Sequence, residues 1–424
     1  MDEMRLALVR QVFPRPRAQD PVGLVEAEAL RLLENWRQKR GLPPTGWRLG
    51  IPVGSRGINR LPELVAALVR AAVRAGAKPF LVPAMGSHGG GTPEGQVRLL
   101  WHLGVTEAST GAPILAGSDV VSLGEAPGAG TVYADGRLAQ ADAVLLLNRV
   151  KPHTSFHGPV ESGLLKMLAV GIGKAPSAAA FHSLPPEALS PAILERSRVA
   201  LRALPVAGGI AVVENGYDEA ALVQGLLPEE MESVETSLLE QARQWLPRLP
   251  VEDLDLLIVD SIGKNFSGTG MDTNVVGRLR IDGQPEPSSP RIRRILARGL
   301  SPETDGNAYG IGLADFTTRR AREQARPEAT YANALATGFL RRAMWPLILD
   351  DDRQALAAAA ESLKRPPSGL TALRIANTLS LERLWVSDTV LAGLLASGRA
   401  EMLAEPAPLR FGPDGSLLAG EPSD

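Results

Sequence analysis

The sequence predicts an α/β fold of two domains with mostly parallel sheets and an active-site cleft between them. Three observations lead there. Short apolar runs without polar alternation suit strands covered on both faces. Each run stops at a Gly-rich or polar loop, and amphipathic helical stretches separate the runs. A length of 424 residues also exceeds what one core usually serves, which gives two or three domains.

The elements follow in order. Residues 48–53 (RLGIPV) read as a strand leading into GSRGINR. Residues 61–75 place Leu61, Leu64, Val65, Leu68, Val69, Ala72 and Val73 on one helical stripe, and Gly76 supplies a stop. Residues 78–85 (KPFLVPAM) form a strand before GSHGGGT, and residues 142–147 (DAVLLL) one before NRVKPHTSFHG. A helix over 184–204 precedes a strand over 209–213 (GIAVV) and the loop ENGYD, then a helix over 229–245. A boundary is expected near 247–253. Residues 254–259 (LDLLIV) then open a new strand into DSIGKNFSGTG, and 353–363 read as a helix. The expected division is 1–250 for an N-terminal cofactor-binding domain, 251–345 for a second α/β domain and 346–424 for a helical tail packing back. The last residues (FGPDGSLLAGEPSD) are expected to be loose.

Composition narrows the function. A net charge of −2 argues against a nucleic-acid binder. No stretch is long and apolar enough to span a bilayer, and residues 1–16 lack the apolar core of a secretion signal, so a cytoplasmic protein is expected. There are no cysteines, which removes disulfides, thiolate metal sites and a cysteine nucleophile. Any metal must be held by His, Asp or Glu, or by a cofactor's own atoms. The five histidines (His88, His102, His153, His157 and His182) all lie between 88 and 182. Only seven lysines stand against 38 arginines, yet Lys151, Lys166, Lys174 and Lys264 lie in or beside the loops that end strands. Arginine stays protonated, so lysines there point to amine chemistry.

In α/β folds ligands bind outside the carboxyl ends of strands, which is where these loops fall. GSRGINR offers Ser55, Arg56 and backbone amides at a helix start, a phosphate site by charge and geometry; a plain βα turn is the alternative. GSHGGGTPEG sets His88 among glycines that let a ligand approach, and an imidazole there suits a general base, or else a helix cap. His102, beside Trp101 on the next helix, reads as structural. The segment from 148 to 182 is densest, with three histidines, three lysines and Glu161. Lys166 sits between apolar residues, where poor solvation would lower its pKa and make it nucleophilic. KMLAVGIGK lacks the spacing of a nucleotide-triphosphatase phosphate loop.

These residues fall into an ordered set: Ser55-Arg56, Gly86-Ser87-His88, Pro152-His153, Ser162-Gly163-Leu164-Leu165-Lys166, and His182 sixteen positions after Lys166. In that order and spacing the chain resembles the nickel-dependent lactate racemase family, over roughly 50–185. A looser resemblance covers GKNFSGTGMDTNVVGR (263–278) and NAYGIGLADFTTRR (307–320). The resemblance implies a racemase or 2-epimerase that inverts C2 of a small 2-hydroxy acid by hydride transfer to and from a nickel pincer nucleotide, a pyridinium thioamide/thiocarboxylate mononucleotide. It implies a covalent link to that cofactor at Lys166, nickel ligation by His182, and general bases at His88 and His153. Arg56 would bind the cofactor phosphate, with Ser55, Ser162 and Gly163 also at the cofactor, and Lys264 would steer the substrate carboxylate. Enzymes that build the cofactor would act upstream.

The chain departs from the family at Gly54, Ser55, Gly89 and Ser261, and it carries three extra residues between His153 and Lys166 that bring His157 and Glu161 nearby. These changes point away from lactate to a different or larger hydroxy acid, such as a sugar acid. Two alternatives are a non-catalytic protein binding the nucleotide or nickel, which needs only Lys166 and His182, and a lysine- or metal-dependent enzyme of another class. The histidines lack the spacing of a standard zinc motif.

Overall fold

A computed structural model describes residues 4–55 and 57–418. The chain divides into two compact units: Pro14–Leu246, and Met1–Phe13 together with Pro247–Asp424. Both are α/β. The first strand, β1 (Arg5–Gln11), belongs to the second of these units.

The unit Pro14–Leu246 is built on a five-stranded sheet of β2 (Trp47–Val53), β3 (Ala77–Pro83), β6 (Ala143–Arg149), β7 (Val206–Glu214) and β8 (Ala220–Leu226). A separate hairpin, β4 (Val120–Ala126) with β5 (Gly130–Asp135), lies between β3 and β6 in the chain. The sheet order is β3-β2-β6-β7-β8; all pairings are parallel except β7 with β8. Helices Pro21–Arg40 and Leu61–Arg74 cover one face, with Leu32, Leu33, Leu64 and Leu68 fully buried. The other face carries the β4–β5 hairpin and helices Leu189–Ala203 and Met231–Trp245. Chain order reverses between β2 and β6, so the carboxyl ends of these two strands form the switch point where α/β folds place ligands.

Between β6 and β7 the chain makes an unusual turn. A helical segment, Leu164–Lys166, runs on as a π-helical turn, Met167–Gly171, and then bends by 100° into helix Lys174–His182. Gly173 is required there, because a Cβ would lie 2.3 Å from the Tyr133 carbonyl oxygen of β5. Asp135, at the end of β5, ties both arms: its N–H donates to Ile172 O at 2.8 Å, and its carboxylate pairs with Lys174 Nζ at 3.1 Å. Lys174 also donates to Pro83 O at 3.0 Å and takes a left-handed backbone, φ 52°. Arg196 is wholly buried beneath the bend. It donates to Ala169 O at 2.9 Å, Ala129 O at 2.7 Å and Ser177 Oγ at 2.7 Å.

The second unit holds an eight-stranded sheet. Beyond β1 it contains β9 (Asp253–Val259), β10 (Arg291–Ala297), β11 (Phe316–Thr318), β12 (Leu347–Leu349), β13 (Ala372–Ile375), β14 (Arg383–Ser387) and β15 (Ala400–Pro408). The order is β12-β11-β10-β9-β13-β14-β1-β15, parallel from β12 to β13 and antiparallel beyond.

The division differs from the sequence expectation in two respects. Residues 346–418 are not a helical tail: they supply β12 to β15 as well as helices Asp352–Leu363 and Asp388–Ala396 to this unit. The first strand leaves the N-terminal domain to pair with β14 and β15. No single helix among the described residues is long and apolar enough to cross a membrane.

Arg196→Ala should destabilise the protein by about 3 kcal/mol or more, because three buried acceptors lose their donor together. Urea denaturation measures this, and a loss under about 1 kcal/mol would contradict the role given to Arg196.

Candidate active site

The loops after β2, β3 and β6 carry the residues singled out by sequence. Ser55 follows β2, and its Oγ lies 2.5 Å from Nδ1 of His88, which follows β3. The expected cofactor contact is thus also the partner that orients an imidazole. When Ser55 Oγ accepts from Nδ1, Nε2 keeps the lone pair that a base needs. The His88 loop is anchored by the buried Gln96, whose Nε2 donates to Gly86 O at 3.0 Å. Gly86 N–H donates to Gly171 O at 3.3 Å, which joins this loop to the π-helical turn. Arg56 lies outside the described residues.

Lys166 and His182 occupy opposite ends of the bent helix pair. A straight helix would separate positions sixteen apart by about 24 Å. The bend brings the two side chains within electrostatic reach of each other. Crowding by the surrounding protein, and then the Lys166 charge, push His182 down to about 4. The His182 side chain is nevertheless exposed, and solvent works against the shift; even at the ordinary value of 6.5 the ring is mostly neutral at pH 7. Two buried rings fill the space between. Phe156 lies 5.3 Å from Lys166 Nζ and meets Phe181 edge-on at 6.1 Å, and Phe181 meets His182 edge-on at 5.4 Å. Lys166 is half-buried rather than enclosed.

His153 stacks on Phe156 at 4.0 Å, which brings it to the same aromatic floor. Ser155 N–H donates to His153 Nδ1 at 3.1 Å. A backbone N–H only donates, so Nδ1 is bare and the neutral ring carries its proton on Nε2. The loop is held from below by Glu161, which is almost wholly buried. Its carboxylate accepts from His153 N at 2.5 Å, Gly158 N at 3.3 Å, Arg243 Nη2 at 2.6 Å and His157 Nδ1 at 3.3 Å. Burial alone would raise its pKa, but the hydrogen bonds from His157, His153 N and Arg243 outweigh that and hold it below the ordinary value.

Ser162 forms a backbone bridge with Lys151 through N–H···O bonds of 3.0 and 3.2 Å. Gly163 begins the turn that carries Lys166. A Cβ there would lie 2.4 Å from the Glu235 carboxylate carbon. Glu235 caps that turn, accepting from Leu164 N at 2.6 Å and Leu165 N at 3.2 Å, while its Oε1 has no partner among the described residues. Full burial raises its pKa to about 7, against the pull of those two N–H groups. Sequence reasoning missed Glu235, although it stands on the apolar stripe of Met231, Leu238, Leu239 and Ala242, a position where a carboxylate is conspicuous.

Two residues named from the sequence, His102 and Lys264, lie elsewhere. His102 is exposed at the last turn of helix Pro93–His102. Lys264 belongs to the other unit, where its ammonium donates to Asn333 Oδ1 and its N–H to Thr304 Oγ1 at 3.2 Å. Among the described residues no three His, Asp or Glu side chains group to hold a metal.

Glu235 makes stability fall as pH rises. Its folded pKa near 7 exceeds its ordinary value of 4.5, so the folded state binds the extra proton between those values. Its contribution is complete below pH 4.5 and lost by pH 7, on the order of 3 kcal/mol. Glu235→Gln should flatten the decline in Tm between pH 5 and pH 8. A variant with the same pH slope as the parent would contradict this account.

No protein-family model matches the chain, and no curated protein matches it. Among solved structures, the chain is similar to the lactate racemase apoprotein of Thermoanaerobacterium thermosaccharolyticum. The TM-score is 0.51 at 13% identity, covering 87% of this chain and 93% of that one. At that identity the likeness is one of fold, a mixed α/β architecture shared over most of both chains.

Proposed function

We propose that the chain is an isomerase, a racemase or 2-epimerase, that inverts C2 of a 2-hydroxy acid with a nickel pincer nucleotide. The observation that carries this reading is the run of ring contacts across the helix bend that joins Lys166 to His182 through Phe156 and Phe181. The residues fit such a group. Neutral imidazole is a metal ligand, and where no cluster of His, Asp or Glu among the described residues accompanies it, the other ligands would come from a bound molecule. A chain without cysteine has no thiolate to offer. Lys166 would hold the group covalently through its amine, His182 would ligate its metal, and Ser162 and Gly163 would line its seat. Arg56 is the proposed phosphate partner.

When bound, that group supplies a reversible hydride acceptor for the substrate carbon. The protein's share is placement and proton traffic. His88, oriented by Ser55, takes the proton of the substrate hydroxyl at Nε2 when one isomer reacts and, once protonated, donates to the keto oxygen when the other isomer is turned over. The hydroxyl points to opposite sides in the two isomers, so a second imidazole must serve the other face. That imidazole comes from the loop after β6, where His153 is proposed to act. The Gly54, Ser55 and Gly89 departures favour a larger acid, such as a sugar acid, over lactate.

Protein coproduced with the cofactor's synthetic enzymes should carry a mass adduct and nickel. Lys166→Ala should remove the adduct and His182→Ala the nickel, read by intact mass and metal analysis. Parent protein that carries neither under these conditions would overturn the reading.

Loaded enzyme in deuterated water should yield the inverted acid with its C2 hydrogen retained, followed by NMR across a panel of 2-hydroxy acids. Deuterium at C2 would indicate a carbanion and count against hydride transfer. His88→Ala should lower turnover by about 10²–10⁴-fold while the adduct remains.

A further inference from the structure

The loop after β6 holds two imidazoles in opposite protonation patterns. An ionised carboxylate only accepts hydrogen bonds, so the ring nitrogen of His157 facing Glu161 carries the proton. Nε2 of neutral His157 is therefore left with its lone pair. His153 is the reverse, since Ser155 N–H occupies its Nδ1 and places its proton on Nε2. Taking up a further proton at Nδ1 would set two donors against each other. His157 has no such conflict: on protonation at Nε2 it becomes an imidazolium whose Nδ1–H already faces a buried anion.

Both rings hang from that one carboxylate. Glu161 Oε2 holds the His153 backbone, and Oε1 holds the His157 ring. Arg243 on helix Met231–Trp245 fixes Oε1 from the far side at 2.6 Å. The His157 side chain remains 43% exposed while its anchoring carboxylate is at 0%. This is the arrangement of a general base: a reachable imidazole, its tautomer set by an enclosed carboxylate.

We propose that His157, oriented by Glu161, is the proton-transferring imidazole of this loop, and that His153 is a neutral hydrogen-bond donor to a substrate oxygen. This rests on the isomerase reading and transfers to His157 the base role first assigned to His153. The proton leaves the substrate hydroxyl for His157 Nε2, and the O–H electron pair becomes part of the keto C=O as hydride leaves C2. When hydride returns to the other face of C2, the keto oxygen takes a proton from the protonated imidazole on the opposite side, His88, and the roles reverse in the other direction. A bound nickel nucleotide would accept and return the hydride.

Two measurements test it. Long-range ¹H–¹⁵N correlation on the protein without cofactor reports the tautomers directly. The expected result is Nδ1–H for His157 and Nε2–H for His153; the reverse assignment for His157 would overturn the proposal. On loaded enzyme, His157→Ala should lose about 10²–10⁴-fold in kcat with its adduct intact, and added imidazole should restore part of that loss. Glu161→Gln should shift His157 away from the Nδ1–H tautomer. Unchanged kcat in His157→Ala, with the parent enzyme active, would also overturn it. If the loaded parent isomerises no 2-hydroxy acid, the isomerase reading fails, and the tautomer measurement still decides whether Glu161 sets up His157 as a base.

Discussion

The bend between Gly171 and Lys174 is the constraint on which the rest of the candidate site depends. Without it, sixteen residues of helix would hold Lys166 and His182 far beyond the reach of their side chains. The bend is not left to local preference. A π-helical turn precedes it, a glycine is forced at its centre by the β5 backbone, and a lysine with left-handed backbone follows it. Asp135 holds the residues on both sides, and Arg196 closes the carbonyls exposed beneath. The burial that surrounds Lys174 lowers its pKa, while Asp135 acts to keep it charged. Backbone strain of this kind persists where the surrounding packing over-determines it.

Much of this was legible in the sequence, and the part that was not has a physical reason. Five strands, β2, β3, β6, β7 and β9, announce themselves as unbroken apolar runs because they are covered on both faces; β7, for example, is buried at every position, whereas β10 carries arginines, β11 is only three residues long and β12 is largely exposed. The loops at their carboxyl ends could be read from glycine and charge alone. The β4–β5 hairpin could not, since most of its residues outside Ala126, Val132, Ala134 and Asp135 are half-buried or exposed and give no strong period. Likewise β13 to β15 are short or solvent-facing strands whose identity comes from pairing with distant residues. The helix expected over 184–204 begins at Leu189, because Pro185 and Pro186 open it through a short 3-10 turn.

Within the site, sequence could name the imidazoles but not their protonation. Which nitrogen of His153 or His157 carries hydrogen is decided by a backbone N–H in one case and a carboxylate in the other, four residues apart. No spacing rule encodes that. Nor does the sequence reveal that Ser55 meets His88, because the contact joins loops from two strands. Three enclosed carboxylates, Asp135, Glu161 and Glu235, accept from the N–H groups of Arg137, His153 and Leu164 respectively. Enclosed carboxyl groups are costly to keep, and the bonds of Glu161 and Glu235, with the Asp135–Lys174 pair, go to the segments that carry the candidate chemistry.

The placement of β1 has a consequence for how the chain is made. Its partners are β14 and β15, with Arg5 opposite Pro408, so the first strand must wait for nearly the last before it can pair. The whole Pro14–Leu246 unit emerges from the ribosome in the interval, complete in its own sheet. Contacts so distant in sequence close slowly. A fragment cut to begin at Pro247 would leave β14 and β15 without the strand between them, exposing two unpaired edges to other chains.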